Sequence, residues 1–179
     1  MRHGVLGALL AGLLVGALPA LGGCTDPQSP SFVEFTDGKL TVVRPAAWTT
    51  QTPVDLPWTL GYRLAPNSVE QIQVSGDFGE YATAAEAVGT LIGQAQVSLA
   101  EFTVVETRDV DVAGGTTAQV VRYTITDNTD SQVFGEWIVA AHWPYPQSVA
   151  VSILTPRYDV DLERQVLESM RMRPNLSWG

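Results

Sequence analysis

The chain has 179 residues, 45% of them hydrophobic and 16% charged, with 19 acidic against ten basic side chains. That balance fits one soluble globular domain plus a targeting segment, and with no Lys/Arg cluster to offset the acidity it excludes a nucleic-acid binder. A single cysteine excludes a disulfide within the chain.

Met1-Arg2-His3 makes a short basic start, and Val5 to Leu21 is an almost unbroken run of Val, Leu, Ala and Gly. The run's length could support a bare membrane span, the alternative reading, but spans usually need about 20 apolar residues and this run is Gly-rich, so it reads as an export signal. It ends in Leu21-Gly22-Gly23-Cys24, which resembles the bacterial lipobox. Small residues let an extended backbone enter a peptidase cleft, and the cysteine sulfur is the nucleophile that can be joined to diacylglycerol. The resemblance implies cleavage before Cys24 and a lipid on its sulfur, palmitate being a typical acyl chain. Two acyl chains, at about 0.8 kcal/mol per buried methylene, give stable attachment where one is marginal.

Loss of residues 1–23 leaves nine basic and 19 acidic side chains, a net charge of −10. Such a surface has little attraction for anionic head groups, so membrane residence is expected to come from the anchor alone. Residues 24–31, with two prolines and no hydrophobic period, read as a tether.

The domain is expected to span residues 32–174, followed by a short tail over 175–179. Phe32 to Phe35 and Leu40 to Arg44 are strand-like runs around Asp37-Gly38, a hairpin turn signal. Pro45 ends the second run, and Trp48 follows. Trp58 to Leu64 and the stretch from Gln71 to Phe78 alternate as half-buried strands, with Ile72, Val74 and Phe78 expected on one face. Thr83-Ala84-Ala85-Glu86 is a capping box, opening a helix to about Glu101 whose apolar stripe is Val88, Leu91, Ile92, Ala95 and Leu99. Val104 to Val112, Thr117 to Asp127, Val133 to His142 and Ser148 to Leu154 are β-rich and joined by short turns, the pattern of an antiparallel meander. Asp159 to about Met172 reads as an amphipathic helix closed by Pro174, with Leu162, Val166, Leu167 and Met170 inward. The order predicts an α+β fold, an antiparallel sheet covered by helices.

Leu40-Thr41-Val42-Val43-Arg44 leading into Pro45-Ala46-Ala47-Trp48, the mid-chain helix, the meander and the ending Val166-Leu167-Glu168-Ser169-Met170-Arg171-Met172 resemble the PsbP-like superfamily, which includes actinobacterial lipoproteins of the LpqN type. The resemblance implies an α/β/α sandwich and accessory or binding roles, such as an extrinsic photosystem subunit, an import factor or an envelope lipoprotein. Its motifs are structural, and fold alone does not fix function.

Residues with catalytic chemistry are sparse. Beyond His3, the only histidine is His142, beside Trp143 at a strand end, where a packing or surface role outweighs catalysis. Nucleophile elbow, phosphate loop and His-Glu-x-x-His patterns are absent. Asp127, Asp130 and Glu136 are candidates to crowd near one hairpin, and Asp109 and Asp111 share a strand face. Their spacing matches no calcium loop, so solvated carboxylates are the expectation, with no metal and no cofactor.

Aromatics remain: Trp58, Tyr62, Trp137, Trp143 and Tyr145 lie on or beside predicted strands. Core packing accounts for most such residues, yet a cleft between sheet and helix lined by them would hold an apolar or glycan ligand. Trp143-Pro144-Tyr145-Pro146 is the candidate exposed tip for a partner contact. The expectation is a monomeric, non-enzymatic binding or accessory lipoprotein on the extracytoplasmic face of the cell membrane. It would engage an envelope protein or lipid. The alternative is a lipid or glycolipid carrier with a pocket between sheet and helix.

Overall fold

The computed structural model describes residues 31–177. The export signal, Cys24 and the tether up to residue 30 lie outside the described residues, as does the end of the tail.

The two strands of the opening hairpin are β1 (Phe32–Asp37) and β2 (Leu40–Pro45), paired so that Asp37 faces Leu40. Gly38 supplies the positive φ, +50°, that the two-residue turn demands. Two short strands follow, β3 (Thr50–Gln51) and β4 (Leu60–Arg63), then the long β5 (Gln71–Gly79).

Helix α1 (Ala84–Ser98) begins as its sequence requires. Thr83 accepts from the Glu86 backbone N–H, and the Glu86 carboxylate accepts from the Thr83 backbone in return. The meander is β6 (Thr103–Val110), β7 (Thr117–Thr126), β8 (Gln132–His142) and β9 (Gln147–Thr155), and α2 (Val160–Ser169) is capped by Asp159.

Seven strands form one sheet in the order β3-β4-β5-β9-β8-β7-β6, so α1 crosses from the interior strand β5 to the far edge and the meander walks back to pair β9 with β5. The layers follow from strand parity. Ile72, Val74, Val120, Ile138, Val149 and Val151 pack one face against α2 and the hairpin. Val121, Tyr123, Trp137, Val139 and Ala150 pack the other against α1.

Three expectations need correction. The closing helix stops at Ser169, not Met172; Arg171–Met172 form a short strand, β10, whose Met172 pairs with Leu40 of β2. This completes a three-stranded sheet, β1-β2-β10. The edge of β2 draws the chain out of the helix, because the strand hydrogen bonds satisfy a backbone that solvent alone would otherwise face.

Second, β5 is not half-buried. Gln71 and Ser75 are buried on the α1 side of the sheet while Ile72 and Val74 are buried on the α2 side. Third, Phe78 does not share the face of Ile72 and Val74. A register shift between Ser75 and Gly79 inverts the parity and delivers Phe78 to the α1 side. One extra residue in a strand changes which face every later side chain takes.

Candidate functional site

Helix α1 covers β7 and β8 but leaves the part of the sheet over β5 and β9 open. Between the C-terminal half of α1, that open sheet and the Asp55–Trp58 loop lies a cleft of about 490 Å³. Its floor is polar: Gln71 and Gln73 from β5 and Ser152 from β9. Its walls are Trp58, Trp137, Leu91, Ala95 and Leu154.

The floor is polar for a reason of register. Gln73 stands opposite Ser152 and Gln71 opposite Leu154, all pointing to the α1 face. Gln71 is held by Arg63, whose Nε donates to its side-chain oxygen at 2.7 Å.

The aromatic wall is built from ring-on-ring contacts. The Tyr123 and Trp137 rings lie 4.3 Å apart, and Phe102 stacks on Trp137 at 5.7 Å and 24°. Across the cleft, Trp58 packs on Phe78 at 6.2 Å and Phe78 on Tyr81 at 5.7 Å. Burial pushes the Tyr123 phenol well above its ordinary value despite hydrogen bonds with Ser152 and Trp137, so it stays a neutral donor.

Among the described residues lining the cleft, Asp55 and Tyr123 are the only titratable ones and none is basic. Such a site has no general acid–base pair. It suits an uncharged ligand with an apolar body and hydrogen-bonding groups for the amides.

Of the five aromatic residues singled out by sequence, Trp58 and Trp137 meet at this cleft and three do not. Tyr62 lies on the opposite face, edge-on to Phe35 at 5.4 Å and under the Arg44 guanidinium at 4.3 Å. Trp143 is 56% exposed beside Thr83, Thr116 and Thr117, its backbone N–H donating to Thr116 Oγ1 at 3.1 Å. Tyr145 borders a smaller cleft, where Gln147 clamps the tail through paired hydrogen bonds to the Asn175 backbone of 2.7 and 2.8 Å. Tip and cleft are therefore separate surfaces.

The expected carboxylate group also separates. Asp127 folds its own turn, accepting from the Thr129 hydroxyl and from the Thr129 and Ser131 backbone; these bonds, the hydroxyl first, hold it below the usual carboxylate range. Glu136 is buried on the α2 face of β8, away from that turn, 4% exposed. Asp109 accepts from the Gln119 side chain at 2.9 Å. His142 Nδ1 lies 3.0 Å from the Gly114 carbonyl oxygen and bridges two turns.

What sequence reading missed is the charge cluster beneath α2. Glu163, buried on the helix, pairs with Arg122 at 2.6 Å and with Arg108. Arg122 also reaches Glu106 at 3.0 Å and Glu136 at 3.4 Å. Burial raises Glu136, and the neighbouring Glu163 charge adds to it, taking the group up to about 8 against the pull of Arg122. Burial would raise Glu163 too, but hydrogen bonds from Arg122 and from a protonated Glu136 win and hold it below its ordinary value. A signal was available: an acid within the apolar run of β8 and an arginine in the neighbouring strand invite a cross-strand pair.

No protein-family model and no curated protein matches the sequence. In structure the chain is similar to cyanobacterial PsbP (CyanoP) from Synechocystis sp. PCC 6803, with a TM-score of 0.57 and 15% sequence identity, over 86% of this chain and 99% of that one. The fold is PsbP-like: a mixed α+β arrangement of antiparallel sheets and two helices.

Proposed function

We propose that this chain is a bacterial lipoprotein of the LpqN type, a non-enzymatic binding or accessory module held on the extracytoplasmic face of the membrane by a diacylglycerol on Cys24. The observation that carries the binding role is the cleft beside α1, with Trp58 and Trp137 facing a floor of Gln71, Gln73 and Ser152. Gln71 and Ser152 are already bonded to Arg63 and Tyr123, and Gln73 is half-buried, so the remaining donors and acceptors of this floor give orientation to what enters. The anchor reading is supported by Leu21-Gly22-Gly23-Cys24 after the apolar run.

The carrier alternative is favoured by the same cleft. At about 490 Å³ it falls in the size range of small-molecule sites. A ligand that loads and leaves makes the module a carrier; one that stays, or a protein segment, makes it an adaptor.

Protein purified from its own envelope should release an uncharged small molecule on solvent extraction, seen by mass spectrometry. Gln94 is exposed on the cleft rim, and Gln94→Trp should reduce that yield several-fold without changing the thermal unfolding midpoint. Equal yields from both proteins would remove the cleft from the proposal, and specific turnover of an ester, glycan or phosphate substrate would overturn the non-enzymatic role.

A further inference from the structure

The two ends of the sheet are unlike. The pairings Phe32–Pro45, Gln71–Leu154 and Phe134–Thr155 place the start of β1, the β4–β5 loop, the β7–β8 turn and the start of α2 at one end. Ala100, just after α1, joins them through its carbonyl, which accepts from Thr126 at the end of β7. The pairings Asp37–Leu40 and His142–Gln147 place the β1–β2 turn and the Trp143-Pro144-Tyr145-Pro146 turn at the other.

Exposed apolar side chains gather at the first end. Val160 is 61% exposed, Leu64 43%, Val33 42% and Leu99 37%, against Trp143 at 56% and Leu176 at 69% at the other end. Leu99 borders the cleft beside α1, and Leu64 borders a second, more apolar groove of about 550 Å³ with Phe32, Pro45 and Trp48. The chain also enters the domain at this end, through Ser31, seven residues after Cys24.

We infer that this end rests on the surface of a lipid bilayer, with Leu64, Leu99 and Val160 at the interface and the Trp143 turn directed away from the membrane. The inference rests on the anchored reading of Cys24. Seven residues span at most about 25 Å when fully extended. Six-residue β1 puts the β1–β2 turn about 20 Å from Ser31, within the tether's reach, but nine-residue β9, which runs from the Trp143 turn to the first end, is about 30 Å long. A tether shorter than β9 cannot turn the domain over to bring the Trp143 turn to the bilayer that holds the anchor.

Charge selects the kind of surface. Glu70, Asp127, Asp130, Asp159 and Asp161 outnumber Arg63 and Arg157 around this end, so the contact is apolar and suits zwitterionic head groups better than anionic ones. Exposed aliphatic side chains beside two cleft mouths place both openings where a lipid or its product would be met first.

The test uses the full lipidated chain in phosphatidylcholine vesicles. Cys24 is the only cysteine and the lipid blocks it, so Val160→Cys and Trp143→Cys each accept one fluorophore. The expected result is several-fold stronger quenching by spin-labelled lipid at position 160 than at 143. Equal quenching at the two positions, or none at 160 with the protein on the vesicles, overturns the orientation while leaving the anchor intact. Protein that leaves the vesicles with Cys24 open to the label overturns the anchored reading, and the orientation with it.

Discussion

Raising the pH from about 4.5 to about 8 should weaken the fold progressively, by at most about 5 kcal/mol, and Glu136→Gln should remove most of that loss. In the folded chain Glu136 keeps its proton up to about 8, because it is buried beside the Glu163 carboxylate; in the unfolded chain it releases the proton near 4.5. Stability from a raised carboxyl is therefore fully present below the unfolded value and is lost as pH climbs to the folded one. Glu163 works in the other direction. Held below its ordinary value by Arg122 and Glu136 against burial, it contributes stability above the normal carboxylate range and loses it as pH falls through its folded value. Glutamine keeps a neutral donor next to Glu163 at every pH. Urea midpoints measured at about pH 5 and about pH 8 should thus diverge for the wild type and converge for the variant. A wild type equally stable at both would mean that Glu136 is ionised in the folded protein.

Gly76→Ala should cost about 3 kcal/mol or more, lowering the thermal midpoint by about 6 to 12 °C. A Cβ at Gly76 would stand 1.7 Å from the Asp37 carbonyl oxygen and 2.4 Å from its carbon. Both partners are backbone, so no rotamer change relieves the clash. The same contact is tied by the Gly76 N–H donating to Asp37 Oδ2 at 2.7 Å and the Lys39 N–H to the Gly76 carbonyl at 3.0 Å. Space for an alanine could come only from moving the hairpin off the β5 bulge, which also loosens the Leu40 and Val42 packing. Calorimetry showing a change under about 1 kcal/mol would mean the hairpin yields freely and is not part of the cooperative core.

Most of the fold was legible because local chemistry and global packing agree. Asp37-Gly38 gave the hairpin, Thr83 and Glu86 the start of α1, and the apolar runs the meander, each by a rule acting within a few residues. The errors share a cause, which is information from partners distant in sequence. Nothing near Met172 says that the edge of β2 will pair with it, and nothing near Phe78 announces the bulge that inverts its face. The site was read only in part. Trp58 and Trp137 were found as aromatics, but Gln71, Gln73 and Ser152 matter through register across two strands, and Tyr62, expected beside a cleft, packs on the opposite face. Glu163 looked like one more solvated charge of an amphipathic helix until Arg108 and Arg122 came beneath it.

An intact-mass and fractionation comparison of the wild type with Cys24→Ala, in a bacterial host, tests the anchored binding module most directly. The wild type should lose residues 1–23, gain the mass of a diacylglycerol and partition to the membrane, while the variant gains no lipid and leaves it. Equal partitioning of both, with no added mass, would contradict the lipid anchor and leave an uncleaved apolar segment as what holds the chain.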